Sequence, residues 1–173
     1  MKARQRILDS FRHLVLSQHW DTLTVRAVID HAGVARSTFY SQFKDKADLL
    51  IQSLDPLLEV IAANCSLDAN NSAANSAELE YVLTHFWENR SLGRVFFKPP
   101  LRDLLVANLA TRLAQKGQPI GQRWFIASGV FTLMNIWITG AVSQTPANLS
   151  TQIGAYIHAI ECAPFTVNRS VYI

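Results

Sequence analysis

The sequence predicts an all-α fold: a three-helix N-terminal unit followed by a longer helical body. Three observations carry that expectation. Apolar residues recur at helical spacing in one segment after another, the pattern of amphipathic helices. A tight turn at Ala32-Gly33-Val34 separates two short apolar faces, Val25/Val28/Ile29 and Phe39/Phe43. Proline and glycine then punctuate the rest at Pro56, Pro99-Pro100, Gly117, Pro119 and Pro146. The length of 173 residues, with 49% apolar and 17% charged side chains, suits one or two small domains with a real core. So apolar a chain implies extra buried surface, such as an oligomer interface or a ligand cavity.

The elements follow in order. The first helix is expected over Ala3–Ser17, with Ile7, Phe11, Leu14 and Val15 inward and Arg4, Arg6 and Arg12 facing water or DNA. Asp21 to Thr24 links it to the second helix, for which Thr24 is the N-cap. Gly33 takes the positive φ that the tight turn needs, and Arg36 opens the third helix. A turn of three or four residues containing Gly, between two short helices, is the signature of a helix-turn-helix.

A fourth helix is expected from Lys44 or Asp45 to Ala63, with Lys44 and Asp48 as a surface pair and Pro56 kinking or breaking it near Leu54. The polar run from Ser66 to Ser76 reads as a loop, with Asn75 or Ser76 capping a helix over Ala77–Asn89. A short piece, Leu92–Phe97, ends at Lys98-Pro99-Pro100, and a helix over Leu101–Gln115 ends at Gly117. Pro119 starts the next helix. The 19 residues from Trp124 to Val142 carry no charge. Ser128, Thr132, Asn135 and Thr139 dilute them, so they read as a helix buried in protein rather than a membrane span. Thr145-Pro146 caps a last helix, Ala147–Cys162, and a loose tail follows Pro164.

The polar residues of the helix-turn-helix point to DNA. The first turn of the second helix of such a motif reaches base edges in the major groove. Arg36, Ser37 and Thr38 stand there: Arg holds guanine bidentately, and Ser and Thr bond several edges. Tyr40, Lys44 and Lys46 supply a phenol and two ammonium groups suited to phosphate. Thr24 and Arg26 complete the expected contact set. Charge agrees: residues 1–46 hold eight Lys/Arg against four Asp, while the whole chain is +3, so the remainder nets −1. A basic end on a near-neutral body is the footprint of a nucleic-acid contact domain. The expected division is a DNA-binding domain at 1–46 and a regulatory body at 47–173.

Thr24, Ala32-Gly33-Val34, Thr38-Phe39-Tyr40, Phe43, Lys46 and Leu49-Leu50 together resemble the DNA-binding domain of the TetR family of transcriptional repressors. The resemblance covers roughly the first 50 residues. Three positions depart from it: Ile29 replaces a small Ala, Ala35 a capping Ser, and His19-Trp20 a Gly-aromatic pair. The resemblance implies that Thr24 touches phosphate and that the short basic arm at Lys2 and Arg4 reaches phosphate or the minor groove. It also implies a homodimer through the helices near 120–143 and 147–162, and a palindromic operator released when a small molecule binds the body. Phe86, Trp87, Phe97, Leu105 and Trp124 are the candidate effector contacts, among short Pro-broken helices of the kind that enclose apolar cavities. Few polar groups stand nearby (His85, Glu88, Asn108 and Gln122), so the expected effector is apolar or aromatic.

No catalytic constellation is present in the sequence. The five His form no HExxH pair, and there is no GxSxG, P-loop or GxGxxG. Neither an enzyme, a metal nor a cofactor is expected. Cys65 and Cys162 have no metal or disulfide spacing and suit a reducing cytoplasm; a redox role for Cys65 is open. No signal peptide is expected, because the sequence runs directly into an amphipathic helix. Two other classes stay open: a ligandless architectural DNA binder, and a small-molecule-binding helical protein with an incidental helix-turn-helix.

Overall fold

The first helix, α1 (Ala3–Ser17), buries Ile7, Phe11, Leu14 and Val15 on one stripe. Each large apolar side chain taken from water contributes about 1.5–3 kcal/mol. The structure, a computed structural model, describes residues 2–64 and 72–162, and all ten of its regular elements are helices. The stripe of α1 packs on α2 (Val25–Ala32) and α3 (Arg36–Tyr40). Thr24 caps α2 as expected, its hydroxyl accepting the N–H of Ala27 at 3.1 Å. Gly33 ends α2 in the left-handed region, φ 59° and ψ 44°. The third helix is only five residues long, and Phe43 lies just beyond it, still buried against Phe39.

The expected long fourth helix is two helices. The first, α4, spans Lys46–Ser53, and α5 spans Asp55–Asn64, with Leu54 between them at φ −110° and ψ 9°. Pro56 therefore sits in the first turn of α5, where its missing N–H costs nothing. Asp45 caps α4 through the N–H of Asp48 at 2.8 Å. The expected surface pair of Lys44 and Asp48 takes another form: Oδ2 of Asp48 accepts the backbone N–H of Lys44 at 2.8 Å, so the contact organises the helix start.

In the body, α6 runs Ser72–Glu88, α7 Arg90–Phe96, α8 Leu101–Gln115, α9 Ile120–Ile138 and α10 Pro146–Cys162. Two expectations are corrected. The polar stretch does not reach Ser76: α6 is already helical at Ser72, so neither Asn75 nor Ser76 is its cap. Its alanines favour helix more than its asparagines and serines favour loop. The uncharged stretch ending at Val142 is helical only to Ile138; Gly140 turns the chain at φ 85° and the N–H of Ala141 bonds back to the carbonyl of Ile136 at 2.9 Å. Residues 66–71, Cys65 and the tail after Pro164 lie outside the described residues.

The caps at Gly117 (φ 82°) and Thr145 (accepting the N–H of Asn148 at 3.2 Å) are as expected. Helix α8 packs along α9, α6 packs on both α5 and α10, and α1 reaches the body at α7. Gly93 of α7 permits close approach to α9, since a Cβ there would stand 2.8 Å from Cδ1 of Ile138. No helix among the described residues is long and apolar enough to cross a membrane.

Candidate nucleic-acid interface

The short α3 is held from below by one residue. Phe39 is fully buried, edge-on to Tyr40 and against Phe43, so the rest of the helix faces outward. Arg36 and Ser37 are exposed at its first turn, and Thr38 is half-buried. Tyr40, one turn on, is 47% exposed. The guanidinium of Arg36 lies over its ring, 5.4 Å from the centroid. That contact biases a long flexible cation toward one orientation, by about 0.5–1 kcal/mol at an exposed site. Ala35 gives α3 no side-chain cap, so the first amides of the helix have no side-chain acceptor there.

The flanking residues are not equivalent. Thr24 and Arg26 stand exposed at the start of α2, where Arg26 pairs loosely with Asp30 at 3.6 Å. Lys44 is exposed in the turn after α3. Lys46 is half-buried: its Nζ donates to the carbonyl of Trp20 at 2.6 Å and lies 4.3 Å from that ring's centroid. It thus ties the start of α4 to the α1–α2 link, with donor capacity left over, since an ammonium has three protons. Arg6 works similarly, donating from Nη2 to the carbonyl of Gly33 at 2.9 Å, and Arg4 bonds Gln52 at 2.8 Å. The sequence marks these arginines as polar-face residues, and Arg4 also as part of a basic arm; their role as braces depends on contacts 27 and 48 positions away.

Of the five candidate effector contacts, Phe86 and Trp124 border separate concavities. Phe97 packs between Phe86 and Phe131 in a buried aromatic row. Trp87 stacks on buried Trp137 at 4.9 Å, and Leu105 is wholly buried. Trp124 faces away, 45% exposed beside Phe125 on the outer side of α9. Two concavities among the described residues each take in one of the five. One, of about 430 Å³, lies where α1, the Leu54 break, α6 and α7 meet, and includes Phe86. The other is an apolar groove of about 730 Å³ between α9 and α10, including Trp124, Phe125 and Tyr156. Among the described residues no three His, Cys, Asp or Glu side chains converge as metal ligands.

A three-helix head with an outward-facing short helix on an all-helical body defines a helix-turn-helix protein of the DNA-binding class. Residues 7–52 match the family described as bacterial regulatory proteins, tetR family. Over those residues the chain carries the DNA-binding domain of that family. It is similar to the HTH-type transcriptional regulator AlkX of Mycobacterium tuberculosis, 31% identical over 117 residues that make up 65% of this chain and 49% of that protein. The chain thus spans about half the length of that relative. Two solved structures share the fold. A TetR-family regulator from Streptomyces coelicolor A3 superposes with a TM-score of 0.65 at 17% identity, covering 91% of this chain and 93% of the other. The TetR family repressor AlkX from Dietzia sp. strain DQ12-45-1b, implicated in biodegradation of n-alkanes, gives 0.51 at 19%, covering 91% and 97%.

Proposed function

We propose that the protein is a ligand-responsive transcriptional repressor that binds a palindromic operator as a homodimer and leaves it when an apolar or aromatic effector occupies the body. The observation that carries this reading is α3 itself: a helix anchored by Phe39 alone, presenting Arg36, Ser37 and Tyr40 outward with Arg36 already steadied on Tyr40. In this reading residues 1–46 form the DNA-binding head, with Thr24, Arg26, Lys44 and Lys46 on phosphate and Arg36, Ser37 and Thr38 on bases. Residues 47–173 form the regulatory body, and the protein acts in the cytoplasm.

One reading helix touches few bases. Symmetric pairing supplies a second half-site about 34 Å away or a multiple of it. The α9–α10 face supports that pairing. Ile120, Trp124, Phe125 and Tyr156 are 65%, 45%, 63% and 48% exposed, an apolar patch of the kind that marks a protein interface. Two such helices from each protomer make a four-helix contact. The effector works by binding the non-DNA arrangement of the two heads more tightly, and shifts the equilibrium only by that difference.

The test is selection from a random DNA pool at stated salt with the purified protein. A recovered palindrome with half-sites one or more helical turns apart is the expected result. Recovery of no sequence, or salt-sensitive binding without preference, overturns the reading in favour of an architectural binder or an incidental motif.

A further inference from the structure

The 430 Å³ cleft lies at the mechanical joint of the molecule. Its floor is Leu54, the residue that interrupts the α4–α5 helix, with Pro56 and Leu57 behind it. One wall is α6 and α7, with Tyr81, Val82, His85 and Phe86. The other wall is the head, through Arg12 of α1. Head and body thus both line one small space, beside the contact of α1 with α7.

The chemistry of the lining is one-sided. Its hydrocarbon part is large: Leu54, Leu57, Val82, Phe86 and Phe96. Among the described residues its polar part holds a permanent cation (Arg12), an imidazole (His85), a phenol (Tyr81), and the side chains of Asn89 and Ser53, and no carboxylate. The acid facing Arg12 is Asp9 on the same helix, 3.3 Å from Nη1 in an exposed pair. A guanidinium has five N–H donors, so that single contact leaves a fork for another acceptor. The Asn89 amide is turned to the carbonyl of His85 at 2.9 Å, and the Ser53 hydroxyl to that of Leu50 at 2.7 Å. Tyr81 is 75% exposed. The cleft therefore offers a greasy interior with donors at its rim, and Asp9, already paired with Arg12, is the acid nearest that cation among the described residues.

We propose that this cleft is the effector site and that its ligand is a compact apolar monoanion, an aromatic or branched carboxylate or sulfonate, with its charge on Arg12 and its body against Val82 and Phe86. The inference rests on the reading of the body as a sensor and supplies its ligand class and coupling. A ligand touching α1 and α6 together depends for its affinity on the angle between head and body, and that dependence is the differential binding that a switch requires.

Two probes test it: 1-anilinonaphthalene-8-sulfonate, and N-phenyl-1-naphthylamine, the same ring system without the sulfonate. Fluorescence titration of the full chain is expected to show saturable sulfonate binding that Arg12→Gln weakens about fivefold, the loss of one partly exposed ion pair, with the neutral probe unchanged within twofold. Val82→Trp, which fills the cleft, should weaken both at least tenfold. Arg12 is an exposed residue, so that variant keeps the test decisive if Val82→Trp does not fold. Sulfonate affinity indifferent to Arg12→Gln, or equal loss of both probes in that variant, overturns the assignment. With a selected operator in hand, saturating sulfonate should raise the operator Kd at least threefold; an unchanged Kd overturns the coupling. If no operator is recovered, the repressor reading fails, and the probe titrations still decide the cleft.

Discussion

Replacing Gly33 by Ala tests how the turn of the DNA-binding unit is held. The cost has two parts. At φ 59° an L-residue places its Cβ against its own carbonyl, about 1–2 kcal/mol. The new Cβ would also stand 2.8 Å from Nη2 of Arg6, the atom that donates to the Gly33 carbonyl. The arginine tip is flexible, so it moves away rather than distorting the backbone; what is lost is one exposed hydrogen bond, about 0.5–1 kcal/mol. The sum is about 2 kcal/mol, or roughly 4–8 °C in Tm for a chain of this size. The assay is thermal and urea unfolding at fixed protomer concentration, with Arg6→Ala and the double variant completing a cycle. In the double variant the Arg6 part is already gone, so Gly33→Ala should cost about 0.5–1 kcal/mol less there than in the wild type. Gly33→Asn should cost less than Gly33→Ala, because Asn tolerates the left-handed region. A Gly33→Ala loss below about 0.5 kcal/mol, or full additivity with Arg6→Ala, refutes the corresponding part of this reasoning.

Other expectations are briefer. Arg36→Ala should cost about 1–3 kcal/mol on the selected operator and relax preference at one base pair; equal losses on every sequence would remove it from base reading. Lys46→Ala should weaken all DNA sequences alike and flatten the salt dependence, and should also lower stability by about 1 kcal/mol, since it loses both the Trp20 carbonyl and ring contacts. Ala35→Ser should stabilise the protein by about 0.5–1 kcal/mol in urea by supplying the missing cap on α3; no gain would mean those amides are already satisfied. Phe125→Lys, at a 63% exposed position, should leave the protomer folded and shift sedimentation from dimer to monomer; a retained dimer would place the interface elsewhere.

The head was legible because its determinants are local. A turn glycine, a capping threonine and an apolar pair four residues apart act over one or two helical turns; the first two stand where expected, and the pair is buried together although Phe43 falls just past the end of α3. Composition misled at Ser72–Ser76, where short polar residues among alanines read as loop and fold as helix. The aromatic cluster was legible as apolar surface but not as a site. Whether Trp124 joins Phe86 or turns outward depends on how α9 is rotated against α8, and helical spacing is silent on that angle when a helix is apolar nearly all round. The cleft at the joint was hidden for a different reason: Arg12 meets Tyr81 and His85 only through the packing of α1 on the body, about 70 positions apart in the chain.

The interruption at Leu54 also sets how far a small movement travels. Eight residues of α4 make an arm of about 12 Å. A tilt of roughly 10° about Leu54 would swing its far end by about 2 Å, and two heads swinging oppositely would change their separation by about 4 Å against a groove repeat of about 34 Å. An unbroken helix from Lys46 to Asn64 would resist such a bend along its whole length. In the homodimer proposed above, the interruption would leave the spacing of the two heads a softer coordinate than an unbroken helix would, and so one within reach of a single small molecule.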